Sequence, residues 1–168
     1  MTDLFVYFAY GSNMLTRRLT NRVGGVTKVG IGYVPGRTLT FDKKSTDGSG
    51  KCHCPPSRDE NRVWGILFQV PVNRMGVLDG YEGVGHGYHV EYLTVYRTDG
   101  SDSEKARSYV ADPGAKDGSL RPYHWYKQHV LSGAEEHGLP ADYVSRFIRT
   151  VQSQPDPDAA RGAREEAI

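Results

Sequence analysis

The sequence has almost no net charge and no long apolar run. Its 21 lysine and arginine residues nearly balance 20 aspartate and glutamate residues, so the formal net charge of +1 gives no reason to expect nucleic acid or a membrane surface as a partner. No run approaches the roughly 18 apolar residues of a membrane-spanning helix. The N-terminus also lacks the basic and apolar regions of a signal peptide. We therefore expect a cytoplasmic protein with no membrane partner.

Metal-binding motifs and the common catalytic motifs are also missing. There is no GxSxG, HExxH, Walker loop or CxxC, and the six histidines do not cluster at metal spacing. The two cysteines, Cys52 and Cys54, flank His53, and one intervening residue is too few for a cysteine pair of a zinc site. We interpret both as reduced, small apolar side chains on a buried strand, and we predict no metal site.

Glycine and tyrosine are abundant instead, with 20 and 11 residues in a chain of 168. This composition favours strands and tight turns over a helix bundle, and the length fits one domain with a sizeable core. We expect that domain to cover residues 1–152. Residues 153–168 are rich in proline, aspartate, arginine and alanine and have little to bury, which predicts a flexible tail.

Six segments have the composition of strands: residues 4–10, 26–35, 38–41, 62–70, 89–96 and 105–111. The fourth is apolar on both faces, which predicts a position in the centre of a barrel or of a layered α+β domain. Helices are predicted from residue 14, over 73–80, over 122–131 and after residue 140. The polar stretch 43–51 is predicted to be a mobile loop.

The turn after the first strand, Tyr10 to Asn13, is a candidate binding site. Gly11 can adopt backbone angles closed to other residues, and Ser12 and Asn13 are both good N-caps. The chain is expected to leave the strand, turn sharply and expose free N–H groups at a helix start, where a carboxylate or an oxyanion can bind. The alternative is a strand–turn–helix corner that binds nothing.

A second candidate is Glu82, between Tyr81 and Gly83 in a glycine-rich connection just past a predicted helix end. Taken alone, such a loop glutamate is usually a solvated charge. His86 and His89, a few residues later, are interpreted as structural or solvated residues.

Several short motifs occur together: Tyr-Phe-Ala-Tyr-Gly-Ser-Asn at 7–13, Val-Trp-Gly at 63–65, Leu-Asp-Gly-Tyr-Glu-Gly-Val at 78–84, and Arg-Ser-Tyr at 107–109. With the segment 133–140, they resemble the γ-glutamylcyclotransferase family in the same order, from about residue 5 to residue 147. The resemblance implies an α+β fold, a small mixed β-barrel with peripheral helices.

The resemblance also implies a reaction, in which the α-amine of a γ-glutamyl group attacks its own γ-carbonyl. The products are 5-oxoproline and the released amine or amino acid, and no cofactor takes part. Glu82 matches the catalytic glutamate of the family. The substrate-binding positions that carry over are those of the loop and two pocket tyrosines: Tyr10, Gly11, Ser12, Asn13, Tyr88 and Tyr126. His89 is an alternative to Tyr88, and Tyr109 is either a pocket or a core residue.

The motifs leave three functions open. The first is release of free amino acids from small γ-glutamyl substrates, by a monomer or homodimer with no nucleic acid partner. The second is removal of a γ-glutamyl group from a carrier-bound intermediate or from an amine. The third is a non-catalytic binding protein on the same fold, against which the retained Glu82 argues.

Overall fold

The computed structural model describes all 168 residues. Seven strands follow one another along the chain: β1 (Leu4–Ala9), β2 (Thr27–Pro35), β3 (Thr40–Lys44), β4 (Gly50–His53), β5 (Arg62–Pro71), β6 (Tyr88–Arg97) and β7 (Glu104–Ala111). Five of them close a barrel in the order β1-β5-β2-β6-β7, and β3 and β4 form a separate hairpin. The predicted small mixed barrel is therefore confirmed.

Barrel closure depends on the first and last strands. β1 pairs in parallel with β7 through Tyr7 and Arg107, whereas the other pairings in the barrel are antiparallel. The Ser108 hydroxyl adds a hydrogen bond of 2.9 Å to the Phe8 carbonyl oxygen. Strand β5 lies between β1 and β2, and both of its faces are buried, as its continuous apolar sequence predicted.

Five helices surround the barrel: α1 (Thr16–Val23), α2 (Met75–Glu82), α3 (His124–Glu136), α4 (Ala141–Val144) and α5 (Ala159–Glu166). A 3₁₀ turn (Ser12–Met14) precedes α1, and a π-helical turn (Ser145–Arg149) follows α4. None of the helices combines the length and apolar character needed to cross a membrane. The peripheral helices complete the predicted α+β architecture.

The stretch 43–51 is a hairpin rather than the expected loop. Asp47 sits at its turn and accepts hydrogen bonds from the Ser49 amide (2.9 Å), the Ser49 hydroxyl (2.7 Å) and the Lys51 ammonium (2.8 Å). The prediction of a loop therefore holds for residues 45–49, which form the turn, and is wrong for the two residues on each side, which belong to β3 and β4.

The segment 153–168 also differs from expectation, since it ends in α5. The Asp158 side chain caps this helix by accepting a hydrogen bond from the Arg161 amide at 2.9 Å. Asp156 accepts from the Trp125 indole at 2.8 Å, and Glu165 accepts from Arg18. The segment has little to bury, as the sequence indicated, but polar bonds attach it to α1 and α3 instead.

Candidate active site

The loop after β1 turns as predicted but is capped differently. Gly11 precedes the 3₁₀ turn, whose first hydrogen bond runs from the Met14 amide to the Gly11 carbonyl at 3.0 Å. Neither Ser12 nor Asn13 makes a side-chain capping bond, and α1 begins only at Thr16. The prediction that these two residues cap the helix was therefore wrong.

The Asn13 side chain binds Glu82 instead. Its amide nitrogen donates to Glu82 Oε1 at 2.5 Å, although 69 residues separate the two positions in sequence. The Tyr7 hydroxyl donates to the same oxygen at 3.1 Å. Glu82 is the last residue of α2, and the next residue, Gly83, adopts the left-handed conformation (φ 68°) that ends the helix. Glu82 therefore does not lie in the predicted loop beyond the helix. The structure thus brings the carboxylate to the loop.

No arginine or lysine forms an ion pair with Glu82, and its bonds come from neutral donors. Burial raises the pKa of this carboxyl, against the opposing effects of the Arg22 charge and the Tyr7 hydrogen bond. The pKa of Tyr7 is itself raised well above its usual value, by burial and by the neighbouring Glu82. Tyr7 therefore stays protonated as a donor while Glu82 can change its protonation state.

A cavity of about 470 Å³ lies beside this pair. Its wall includes Ser12 of the loop and residues on both sides of Glu82, among them Tyr81 and Gly83. The carboxylate of Glu82 is not itself part of the wall, because it is turned toward Asn13 and Tyr7. A ligand in the cavity would therefore lie next to the residues that flank Glu82 in sequence and to Ser12 of the loop.

Tyr88 and Tyr126 both line the cavity and bond to the backbone of the same residue, Cys52. The Tyr88 hydroxyl donates to the Cys52 carbonyl at 2.5 Å, and the Tyr126 hydroxyl accepts from the Cys52 amide at 3.0 Å. His89 is outside, between Asp112 (2.8 Å) and Glu91 (3.0 Å). Tyr88 rather than His89 is thus the residue that faces the cavity.

The other two tyrosines considered from the sequence are bonded away from the cavity. Tyr10 is buried and its hydroxyl donates to the Tyr109 carbonyl. The Tyr109 hydroxyl donates to Asp79 at 2.5 Å. Of the loop, the structure places Ser12 in the cavity wall and Asn13 on Glu82, and it does not bring the Tyr10 ring to the cavity.

Gly11 lies where a side chain would be tightly crowded. A Cβ added there would come within 3.0 Å of Cys52 Cβ and 3.4 Å of the Tyr126 hydroxyl.

Cys52 and Cys54 are free and buried, and burial raises the pKa of the two thiols to about 12 and about 11. No group of three or more histidine, cysteine, aspartate or glutamate side chains is arranged to hold a metal ion.

The charged residues of the cavity wall were missed by the sequence analysis. They come from α1, the β3–β4 hairpin and α5: Arg18, Arg22, Lys43, Asp47, Lys51, Arg161 and Glu165. Each lies among other polar or charged residues, as Arg18 does beside Arg17, so no local pattern distinguishes it from a solvated charge. The fold brings these charges together from α1, which was predicted, and from the hairpin and the C-terminal helix, which were not.

Comparison with known proteins identifies the family. The sequence model of the AIG2-like family matches residues 62–147, just over half of the chain. Proteins named γ-glutamylcyclotransferase from Bos taurus and Homo sapiens are each 29% identical over 149 residues, covering 86% of this chain and 78% of each relative. A solved structure of a γ-glutamyl cyclotransferase superimposes with a TM-score of 0.82 at 26% identity and covers 90% of both chains. These findings confirm the resemblance read from the motifs, and the chain belongs to the AIG2-like family.

Proposed function

We propose that this protein is a γ-glutamylcyclotransferase in which Glu82 moves the proton and the loop 10–13 binds the glutamyl group. The observation that carries the proposal is the hydrogen bond from Asn13 to Glu82, because it joins a titratable carboxylate to the loop beside a cavity. The named relatives act as independent support for this class of enzyme.

The first step is deprotonation of the substrate. The α-amino group of a γ-glutamyl compound is a cation at neutral pH and must lose a proton before it can attack. Glu82 accepts that proton, and its burial-raised pKa suits a group that must later return it. Asn13 and Tyr7 hold one carboxylate oxygen, which leaves the other oxygen free to meet the amine.

The second step is ring closure. The amine nitrogen attacks the γ-carbonyl carbon of the same molecule, so the enzyme's task is to fold the glutamyl chain until these atoms are about 3–3.5 Å apart. The carbonyl oxygen becomes an oxyanion. The amides of Ser12 and Asn13 precede the first hydrogen bond of the 3₁₀ turn and are suitable donors for it.

The third step releases the products. The tetrahedral intermediate collapses, the bond from the γ-carbon to the leaving nitrogen breaks, and Glu82 returns its proton to that nitrogen. Glu82 then passes on the second proton of the attacking nitrogen, so that the lactam is neutral and the released amine leaves as an ammonium ion. The products are 5-oxoproline and an amino acid or amine. The balance needs no water and no cofactor because the substrate supplies its own nucleophile.

Incubation of the purified protein with γ-glutamyl-alanine tests the proposal. We expect stoichiometric 5-oxoproline and alanine, detected by chromatography, and no glutamate, which hydrolysis would give instead. A folded wild-type protein that yields neither product from γ-glutamyl-alanine or γ-glutamyl-ethylamide would refute the assignment.

A further inference from the structure

Lys43 is an unusual residue in the cavity wall. It is 6% exposed, it lines the cavity, and its ammonium lies 4.5 Å from the centre of the Tyr88 ring. It forms no ion pair or side-chain hydrogen bond, and burial lowers its pKa. A buried cation without a partner is unfavourable in the empty protein, so an anion placed beside it is strongly favoured.

The other cations of the wall are already engaged. Lys51 pairs with Asp47 at 2.8 Å and Arg161 with Asp156 at 2.6 Å, and Arg18 pairs with Glu165. Arg22 lies toward the reactive end, where it donates to Asn13 at 3.3 Å and covers the Tyr81 ring. Lys43 is therefore the free positive charge on the hairpin side of the cavity.

Room for the ammonium is provided by a glycine. A Cβ at Gly87 would lie 3.1 Å from Lys43 Nζ and 2.9 Å from its Cε, and the φ of +111° there also disfavours any side chain. The Lys43 stem is thus enclosed between Gly87 and the Tyr88 ring. This enclosure fixes the position of the charge.

We propose that Lys43 determines specificity by binding a carboxylate on the leaving group, so that γ-glutamyl amino acids are preferred over γ-glutamyl amines of the same size. This inference rests on the proposed function. It follows from the chemistry of the leaving group, because the carboxylate of a departing amino acid is two bonds from the nitrogen that takes the proton from Glu82, and Lys43 lies close enough to Glu82 for each charge to shift the pKa of the other. It also distinguishes two functions that the sequence left open, namely release of free amino acids from small γ-glutamyl substrates and removal of a γ-glutamyl group from an amine.

The experiment compares two substrates that differ only in that carboxylate, γ-glutamyl-alanine and γ-glutamyl-ethylamide. Lys43→Met keeps most of the aliphatic stem and removes the charge. Loss of a charge-assisted hydrogen bond predicts a fall in kcat/KM of about 10- to 100-fold for γ-glutamyl-alanine, and a change of about twofold or less for the ethylamide. Lys43→Arg, which restores the charge, should recover most of the loss.

Lys44→Met is the matched control, because Lys44 is the exposed neighbour on the same strand and carries the same charge. It should leave both substrates unaffected. An equal fall for both substrates in Lys43→Met would overturn the proposal, since Lys43 would then serve the shared glutamyl part or the fold. No fall for either substrate would overturn it as well.

Binding measured by calorimetry in the Glu82→Gln background separates this proposal from the proposed function. We expect γ-glutamyl-alanine to bind more tightly than the ethylamide, and the preference to vanish when Lys43→Met is added. If the wild type forms no 5-oxoproline but this preference is present, the cyclisation fails and the anion site stands. If there is no preference while the wild type cyclises γ-glutamyl-alanine, the anion site fails and the cyclisation stands. If neither is seen, both are wrong.

Discussion

Three carboxylates lie in or beside the cavity, and their pKa values are shifted in opposite directions on its two sides. Burial acts to raise the pKa of Glu82, Asp47 and Glu165 alike. On the hairpin and α5 side, bonds from Lys51 and Ser49 to Asp47, and from His129 and Arg18 to Glu165, outweigh burial and lower both pKa values to about 2. At Glu82 the bonds come from neutral groups, and the pKa stays raised.

The difference shows how one residue type can serve two purposes. A carboxylate paired with a buried cation remains ionised at all ordinary pH values, so it holds the wall in place but cannot exchange protons. A carboxylate held by an amide and a phenol keeps its orientation while its protonation state can change. We infer that the choice of partner, together with the deeper burial of Glu82, separates the reactive side from the supporting side.

The largest expected effect comes from removing the titratable group. Glu82→Gln keeps the shape and most of the hydrogen bonds, but it cannot take a proton from the substrate. General acid–base catalysis contributes about 10²–10⁴-fold, so kcat should fall by at least that factor in a 5-oxoproline assay. Glu60→Gln, at a 70% exposed position on the surface, is the matched control and should be as active as the wild type.

The same variant should not lose stability at neutral pH. Because the folded-state pKa of Glu82 is raised, its contribution to stability is fully present at low pH and is lost as pH rises through the folded pKa. Glu82→Gln is therefore expected to melt at the same or a higher temperature than the wild type at pH 8, with the difference closing in acid. A variant that unfolds at pH 8 would show that the carboxylate supports the fold instead.

The next largest effect is expected from crowding the loop. Gly11→Ala would force Cys52 and Tyr126 apart from the loop, since the new Cβ would lie 3.0 Å from Cys52 Cβ. The neighbours must move by a few tenths of an ångström, so we expect a severalfold fall in rate, below the roughly 100-fold that a displacement of about 1 Å can cause. We expect kcat/KM to fall more than the melting temperature does. Normal turnover would mean that this loop does not bind the substrate.

A smaller change should follow from weakening the neutral partners of Glu82. Tyr7→Phe removes a hydrogen bond that favours the ionised carboxylate, so the pKa of Glu82 should rise further. The acid limb of the kcat/KM profile is then expected to move to higher pH. A limb that stays in place would show that Glu82 is not the titrating group.

The smallest effect on activity is expected on the paired side. Asp47→Asn removes the charge that faces Lys51 and weakens the bonds that close the hairpin turn. Because the folded pKa of Asp47 is lowered to about 2, its stabilisation is present at neutral pH and is lost as pH falls through that value. We expect a loss of about 1–2 kcal/mol in urea unfolding at pH 7, with kcat changed severalfold at most. The contrast between the two sides would be contradicted if Glu82→Gln and Asp47→Asn lost equal amounts of kcat, or equal amounts of stability in urea unfolding.

The reactive side was largely predictable from sequence, and the paired side was not. Strands such as β1 and β5 carry dense apolar patterns, and the glycine after β1 marks a turn, so local composition was enough to locate the loop. Glu82 could be singled out only through the family resemblance, because a glutamate beside a glycine carries no signal of its own. Its contact with Asn13 is a tertiary one across 69 residues.

Lys43 and Glu165 illustrate why the rest was missed. Each lies in a polar stretch that composition assigns to solvent. Lys43 becomes buried by packing against Gly87 and the Tyr88 ring, and Glu165 becomes half-buried through its bond from Arg18. The hairpin is stabilised by the Asp47 turn and α5 by caps and ion pairs, and neither depends on the periodic apolar residues that reveal helices and strands.

The parallel pairing of β1 with β7 has a consequence for how the protein is made. On the ribosome β1 is synthesised first, but its partners β5 and β7 are complete only after residues 71 and 111. An apolar strand, with the reactive loop attached to its end, therefore has both edges unpaired until residue 71 and one edge unpaired until residue 111, and it is prone to join other exposed strands. The nascent chain must keep residues 4–10 from such contacts until about two-thirds of the protein has been translated.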